Sequence, residues 1–172
     1  MKKVIPSFLT ILNLICGCFA IALAFQFQFE AVLILVCLGN LFDFLDGFAA
    51  RALNSVTKFG KHLDSITDVI TSGVVPGVVV YQLFKLSGNK VSDFEVLIFG
   101  YDLTFSLSPI SFIAFIITIG SAIRLSKFNT SIGSDEFIGL PTPANAIFFS
   151  ALPVLINSEL FLESKEIFLN NY

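Results

Sequence analysis

The chain has 172 residues, of which 55% are hydrophobic and only 13% charged, and its mean hydropathy is +0.87. This composition lies outside the range of ordinary soluble domains and indicates an integral membrane protein. The net charge of -3, without any basic patch interleaved with aromatic residues, excludes a nucleic-acid-binding role.

Five apolar runs broken by turn signals predict five membrane-spanning helices, since a span needs about 20 mostly apolar residues. In chain order they cover residues 7–25, 31–51, 66–84, 109–126 and 141–156. The link at 26–30 is short, so we expect the first two helices to form an antiparallel hairpin. The more polar segment at 86–108 contains a candidate membrane-surface piece at 96–103. The predicted fold class is an all-α, polytopic transmembrane helical bundle.

The distribution of Lys and Arg predicts the orientation, because cytoplasmic loops carry the excess of these residues. With the N-terminus inside, seven of the ten lie on the cytoplasmic side: Lys2, Lys3, Arg51, Lys58, Lys61, Arg124 and Lys127. Lys85, Lys90 and Lys165 lie on the other side.

Acidic residues occur inside two of the predicted spans. At about 100° per residue, Asp43, Asp46, Gly47 and Ala50 share one face of the second helix, and Arg51 lies close to it. The third helix, which we expect to begin near Phe59, carries a second set on one face, spaced by four: Gly60, Asp64 and Asp68.

Four carboxylates in the membrane would cost up to about 10 kcal/mol, at roughly 2.5 to 3.5 kcal/mol for each charge at the bilayer centre. Arg51, Lys58 and Lys61 are too few to compensate them. Hard divalent cations prefer oxygen ligands, and four carboxylates on adjacent helices suit two such ions. The sequence therefore predicts that Asp43, Asp46, Asp64 and Asp68 bind Mg²⁺ or Mn²⁺. The glycines would let a pyrophosphate approach the backbone, and Arg51 would bind a phosphate oxygen.

Membrane-embedded acids also occur in proteins that are not enzymes. A single aspartate often pairs helices or relays protons, and buried acids also mark ion or proton transport pathways. Transport predicts acids distributed through the depth of the bilayer and inverted repeats, neither of which is visible. A structural scaffold subunit would leave the cost of the four acids unexplained.

The pattern D-x2-D-G-x2-A-R-x8-G-x3-D-x3-D runs from Asp43 to Asp68 and resembles the signature of the CDP-alcohol phosphotransferase family at every fixed position. The resemblance implies a six-helix membrane fold, a homodimer, and a cytoplasm-facing site where two metal ions bind the pyrophosphate of a CDP-linked donor. It also implies that the first three aspartates bind metal and that Asp68 is the general base, which also contacts a metal.

Further stretches resemble bacterial members of this family that use L-serine: residues 5–17, residues 63–65 with Gly73 and 76–77, residues 124–129 and residues 139–145. They imply transfer of a phosphatidyl group from CDP-diacylglycerol to L-serine in the inner membrane, with release of CMP. Glycerol 3-phosphate or inositol phosphate is the alternative acceptor within the family, although a phosphorylated acceptor would call for more cations than this chain offers. The sixth helix is not visible in residues 1–172, so either this single catalytic domain has five spans or it is truncated at its C-terminus.

Four more polar residues are candidates for substrate contacts. Arg124 and Lys127, at the cytoplasmic end of the fourth helix, either anchor the topology or bind the serine carboxylate or the lipid phosphate. Thr10 and Asn13, at i and i+3 on the first helix, are predicted to face the cytidine. His62, the one histidine, is assigned to the membrane surface rather than to catalysis.

Overall fold

The computed structural model describes residues 4–87, 92–98, 101–107, 109–130 and 140–157, and these form a bundle of membrane helices. The helices are α1 (Val4–Phe25), α2 (Phe29–Ala52), α3 (Lys58–Asp68), α4 (Val75–Leu86), α5 (Phe115–Thr130) and α6 (Thr142–Asn157). A π-helical segment, Val69–Val74, joins α3 to α4, and a 3₁₀ segment, Pro109–Ala114, leads into α5. A two-stranded hairpin of β1 (Ser92–Ile98) and β2 (Tyr101–Leu107) follows α4.

The helical bundle confirms the predicted fold class. Within the described ranges, three helical stretches are long and apolar enough to cross a bilayer: Ile5–Phe25, Phe29–Ala52 and Lys58–Leu86. Thr142–Asn157 is a shorter apolar helix. The predicted run at 109–126 lies within the 3₁₀ segment and α5. Lys2, Lys3, Lys90 and Lys165, which contribute to the predicted orientation, lie outside the described residues.

The predicted hairpin of α1 and α2 is confirmed, and these two helices make the most extensive contact in the bundle. Phe27 turns the chain with a positive φ of 58°, and the Gln28 N–H donates to the Leu23 carbonyl at 3.1 Å. The buried apolar core lies toward this end of the bundle and is made of Ala20, Ala24, Val32, Val36, Val75, Val78, Val79 and Ala146.

The third helical stretch begins where the sequence indicated. Thr57 caps α3, accepting a hydrogen bond from the Gly60 N–H at 3.0 Å, so the helix starts one residue before Phe59. The π-helical segment directly after Asp68 was not predicted. Its wider turn changes the direction in which later side chains point, and Thr71, Ser72 and Gly73 within it are buried.

Small residues let this π-helical segment approach its neighbours closely, as is common between membrane helices. A Cβ atom at Gly17 of α1 would lie 2.7 Å from Thr71 Oγ1. A Cβ atom at Gly73, within the segment, would lie 3.2 Å from Ser121 Cβ of α5. The Thr118 hydroxyl of α5 donates to the Gly73 carbonyl at 2.9 Å. The segment is thereby packed against α1 on one side and α5 on the other.

The β-hairpin occupies the segment where we predicted a surface piece at 96–103, and it is an addition to the all-α expectation. Its antiparallel register pairs Ser92 with Leu107 and Ile98 with Tyr101. The sequence at 101–107 alternates apolar and polar residues, which is the period of a strand.

We predict that Gly39→Ala destabilises the protein by about 1 to 3 kcal/mol, the usual cost of overpacking. A Cβ atom there would lie 2.8 Å from Asn13 Oδ1 and 2.9 Å from Thr71 Cγ2. Gly120→Ala in α5 is the matched control, since a Cβ atom at Gly120 would meet nothing within 4 Å. Thermal unfolding in detergent should show a lower midpoint for the first variant only. Equal midpoints would contradict this account of the α1–α2 contact.

Candidate functional site

Three of the four predicted carboxylates converge. Asp43 on α2 and Asp64 and Asp68 on α3 each place a carboxylate oxygen within 4.8 Å of the other two. The spacing of four residues aligns Asp64 with Asp68 on one face of α3, and this face lies opposite Asp43. All three side chains are half-buried.

The negative charge of this cluster is not balanced by the part of the chain that the structure describes. Among the residues that the structure describes, the charged groups that act on the four carboxylates are the other aspartates, and no described lysine or arginine is among them. Asp64 Oδ1 is buried and has no hydrogen-bond partner in that part of the chain. Oxygen ligands with an unsatisfied buried oxygen fit a hard divalent cation such as Mg²⁺ or Mn²⁺. The bound metal itself stays a prediction.

Asp46 lies apart from the three-carboxylate cluster. It is only 5% exposed, and its carboxylate accepts a hydrogen bond from the hydroxyl of Thr10 on α1. The same hydroxyl lies 3.0 Å from the Pro6 carbonyl oxygen, one helical turn earlier. Thr10 is 3% exposed, so this contact is shielded from water.

A cavity of about 190 Å³ lies beside the carboxylates and brings together most of the predicted substrate residues. Seven residues singled out from the sequence line it: Thr10, Asp46, Gly47, Ala50, Arg51, Gly60 and Asp64. No atom lies within 4 Å of the position that a Gly47 Cβ would take, so this glycine leaves open space as expected. The middle of the motif, from Asp46 to Asp64, therefore contributes to the cavity wall, and Asp64 belongs both to this wall and to the carboxylate cluster.

Six further residues line this cavity that sequence reasoning missed: Pro6, Ser7, Ser55, Val56, Thr57 and Lys61. Three of them belong to the loop between α2 and α3. Asn54 turns this loop with a positive φ of 47°, which asparagine tolerates, and the Ser55 N–H donates to the Ala50 carbonyl at 3.0 Å. Ser55, Val56 and Thr57 lie between Arg51 and Gly60, inside the motif, and this position in the sequence could have indicated that they line the site.

Three predicted contacts are not among the residues that line this cavity. The Asn13 side chain is buried between helices, where a Gly39 Cβ would lie 2.8 Å from its Oδ1. Arg124 is half-buried and Lys127 is exposed, both on α5. The two residues between them, Leu125 and Ser126, line a second cavity of about 470 Å³.

This second cavity lies between α3 and α5, and Lys61 belongs to both cavities. His62 lines the second cavity and is exposed, in agreement with its assignment to the surface. Its remaining described lining is mostly apolar: Ser65, Ile66, Val69 and Ile70.

Comparison with known proteins identifies relatives over nearly the whole chain. The family model described as CDP-alcohol phosphatidyltransferase matches residues 3–169. The CDP-diacylglycerol–serine O-phosphatidyltransferase of Methanocaldococcus jannaschii is 35% identical over 156 residues, which is 91% of this chain and 63% of the relative. The Bacillus subtilis protein of the same name is 33% identical over 144 residues, covering 81% of this chain and 69% of the relative.

A third relative carries a different name. The archaetidylserine synthase of Methanothermobacter thermautotrophicus is 31% identical over 150 residues, which is 86% of this chain and 56% of the relative. The chain thus spans between 56% and 69% of the length of these three relatives.

We predict that millimolar Mg²⁺ or Mn²⁺ raises the thermal midpoint of the protein in detergent, and that Asp64→Asn abolishes the increase. Ligand at about 100 times its dissociation constant stabilises a folded protein by about 2.7 kcal/mol. In EDTA, the same variant should be at least as stable as the wild type, because it removes one repelling charge. If Asp64→Asn is less stable than the wild type in EDTA, this result would contradict the claim that the negative charge of the cluster is unbalanced.

Proposed function

Since the chain belongs to the CDP-alcohol phosphatidyltransferase family, we propose that it transfers the phosphatidyl group of CDP-diacylglycerol to L-serine, releasing phosphatidylserine and CMP. The observation that carries the proposal is the convergence of Asp43, Asp64 and Asp68 beside a cavity lined by Gly47 and Arg51. This arrangement suits a metal-bound pyrophosphate next to the open space that Gly47 leaves.

Serine as the acceptor is supported by the names of the three relatives, because each name includes the word serine. A phosphorylated acceptor such as glycerol 3-phosphate or inositol phosphate would add negative charge to the site. Arg51 and Lys61 are the two basic residues among those that line the cavity of about 190 Å³ beside the carboxylates. So few basic residues among the described lining favour an acceptor without a phosphate.

In the proposed reaction, two divalent ions held by Asp43, Asp46, Asp64 and Asp68 would neutralise the pyrophosphate charge that increases as CMP departs. The Arg51 guanidinium binds a phosphate oxygen, and Gly47 leaves room for the nucleotide beside the backbone. Gly60 also lines the cavity, but a Cβ atom there would lie 3.1 Å from Thr57 Oγ1.

Asp68 accepts the proton of the serine hydroxyl as the serine oxygen attacks the lipid-side phosphorus. A serine oxygen–phosphorus bond forms, and the phosphorus–oxygen bond to CMP breaks. CMP leaves with that electron pair.

We further propose that Arg124 and Lys127 bind the serine carboxylate or the lipid phosphate. Support comes from their positive charge on the stretch of α5 where Leu125 and Ser126 share a cavity with Lys61, although neither cation itself lines that cavity. Replacement of Arg124 by glutamine would then alter serine saturation.

The protein is an integral membrane protein, and we propose a bacterial inner membrane with the carboxylates on the cytoplasmic side. Five basic residues near the helix ends on the carboxylate side support this orientation: Arg51, Lys58, Lys61, Arg124 and Lys127. Lys85 lies near the opposite end. The resemblance to the family also supports a homodimer and a single catalytic domain over residues 1–172.

An ion or proton transporter is the rival from another class. It would use acids at successive depths of the bilayer. Asp43, Asp64 and Asp68 instead place carboxylate oxygens within 4.8 Å of one another, so these acids are concentrated in one place.

The proposal is tested by incubating the purified protein with CDP-diacylglycerol, Mn²⁺ and a panel of alcohols while CMP release is followed. We expect release that depends on L-serine and is abolished by EDTA. A parallel reaction with the CDP-activated archaeal ether lipid tests the donor suggested by the third relative's name. Release that depends on glycerol 3-phosphate or inositol phosphate would instead assign another acceptor, and no release with any alcohol would overturn the proposal.

Replacing Asp68 by asparagine should reduce kcat by about 10²- to 10⁴-fold, the usual contribution of a general base. The KM for CDP-diacylglycerol should change little, because Asp43, Asp46 and Asp64 remain to hold the metal and the donor. Steady-state kinetics at saturating Mn²⁺ measures both constants. An equal loss of donor binding and turnover would assign Asp68 to metal binding alone.

A further inference from the structure

We infer that Thr10 positions the carboxylate of Asp46 for metal binding, rather than contacting the cytidine of the donor. The inference rests on the proposed function, because it assigns Thr10 a role in the metal site of that reaction. Thr10 joins α1 to the motif on α2 through one buried hydrogen bond, which its hydroxyl donates to Asp46.

The contact is specific in geometry. The Thr10 hydroxyl donates to Asp46 Oδ2, which leaves the other carboxylate oxygen available for a cation. Asp46 does not belong to the group formed by Asp43, Asp64 and Asp68, so its orientation depends on partners outside that group, and the Thr10 hydroxyl is one of them. Because both side chains are at most 5% exposed, water cannot readily replace the hydroxyl.

The backbone of α1 restricts where the Thr10 hydroxyl can lie. Thr10 Oγ1 lies 3.0 Å from the carbonyl oxygen of Pro6, four residues earlier, so this carbonyl and Asp46 Oδ2 are the two acceptors for the single hydroxyl proton. Threonine is also β-branched and therefore has few χ1 rotamers in a helix. Because both acceptors lie inside the protein, the hydroxyl has no second proton to donate to a nucleotide base.

The test measures the Mn²⁺ affinity of the full chain in detergent by electron paramagnetic resonance of free Mn²⁺, without donor or acceptor. We expect Thr10→Val to weaken binding by about 10- to 100-fold, the usual effect of removing a hydrogen-bond partner of a metal ligand. Thr10→Ser keeps the hydroxyl and should restore most of the affinity. Against an Asp46→Asn background, Thr10→Val should cause no further loss.

Thr118→Val is the matched control, because it also removes a hydroxyl between helices, one that donates to the Gly73 carbonyl at 2.9 Å. It should leave Mn²⁺ affinity unchanged. CMP affinity at saturating Mn²⁺ should be the same in wild type and Thr10→Val. A drop in CMP affinity with unchanged Mn²⁺ affinity would overturn the inference in favour of a cytidine contact.

The outcomes also separate this inference from the proposed function. If the wild type binds Mn²⁺ and Thr10→Val binds it equally well, only the role of Thr10 is overturned. No Mn²⁺ binding by the wild type overturns both. If Thr10→Val does not fold, Thr10→Ala provides the same comparison with Thr10→Ser.

Discussion

Repulsion among Asp43, Asp64 and Asp68 is the constraint on which the rest of the structure depends. Their oxygens lie within 4.8 Å of one another, and no described lysine or arginine interacts with them. The repulsion in such a cluster is relieved either when a carboxyl is protonated or when positive charge comes from outside the chain. The packing that holds it is correspondingly close, with Gly17 and Gly39 allowing α1 and α2 to approach the π-helical segment that follows Asp68.

The part of the site that follows from local periodicity could be predicted from the sequence. The spacing of Gly60, Asp64 and Asp68 fixes their common face once a helix begins near Lys58, and the cap by Thr57 places that start. The apolar runs likewise predicted the helices, because a lipid environment permits few other structures. The π-helical segment at 69–74 could not be predicted in this way, since its sequence is equally compatible with an α-helix.

Contacts that depend on how one helix is rotated against another were less predictable. Thr10 and Asn13 are three residues apart and were expected to face the same ligand. In the structure Thr10 contacts Asp46, whereas Asn13 is buried against Gly39 and Thr71. Residues three apart differ in direction by about 60° on a helix, which is enough to place them against different neighbours. The spacing of residues in the sequence does not determine how α1 is rotated about its axis, and this rotation decides which neighbours Thr10 and Asn13 contact.

The length of the helical stretch Lys58–Leu86 has a consequence for how reactants meet. Its 29 residues extend on the order of 40 Å at about 1.5 Å per residue, more than the hydrocarbon layer of about 30 Å. Asp64 and Asp68 lie in the first half of this stretch, close to the end where Lys58 and Lys61 are exposed. The proposed reaction would then take place at the boundary between water and bilayer, which its water-soluble acceptor and its lipid donor could both reach without crossing the membrane.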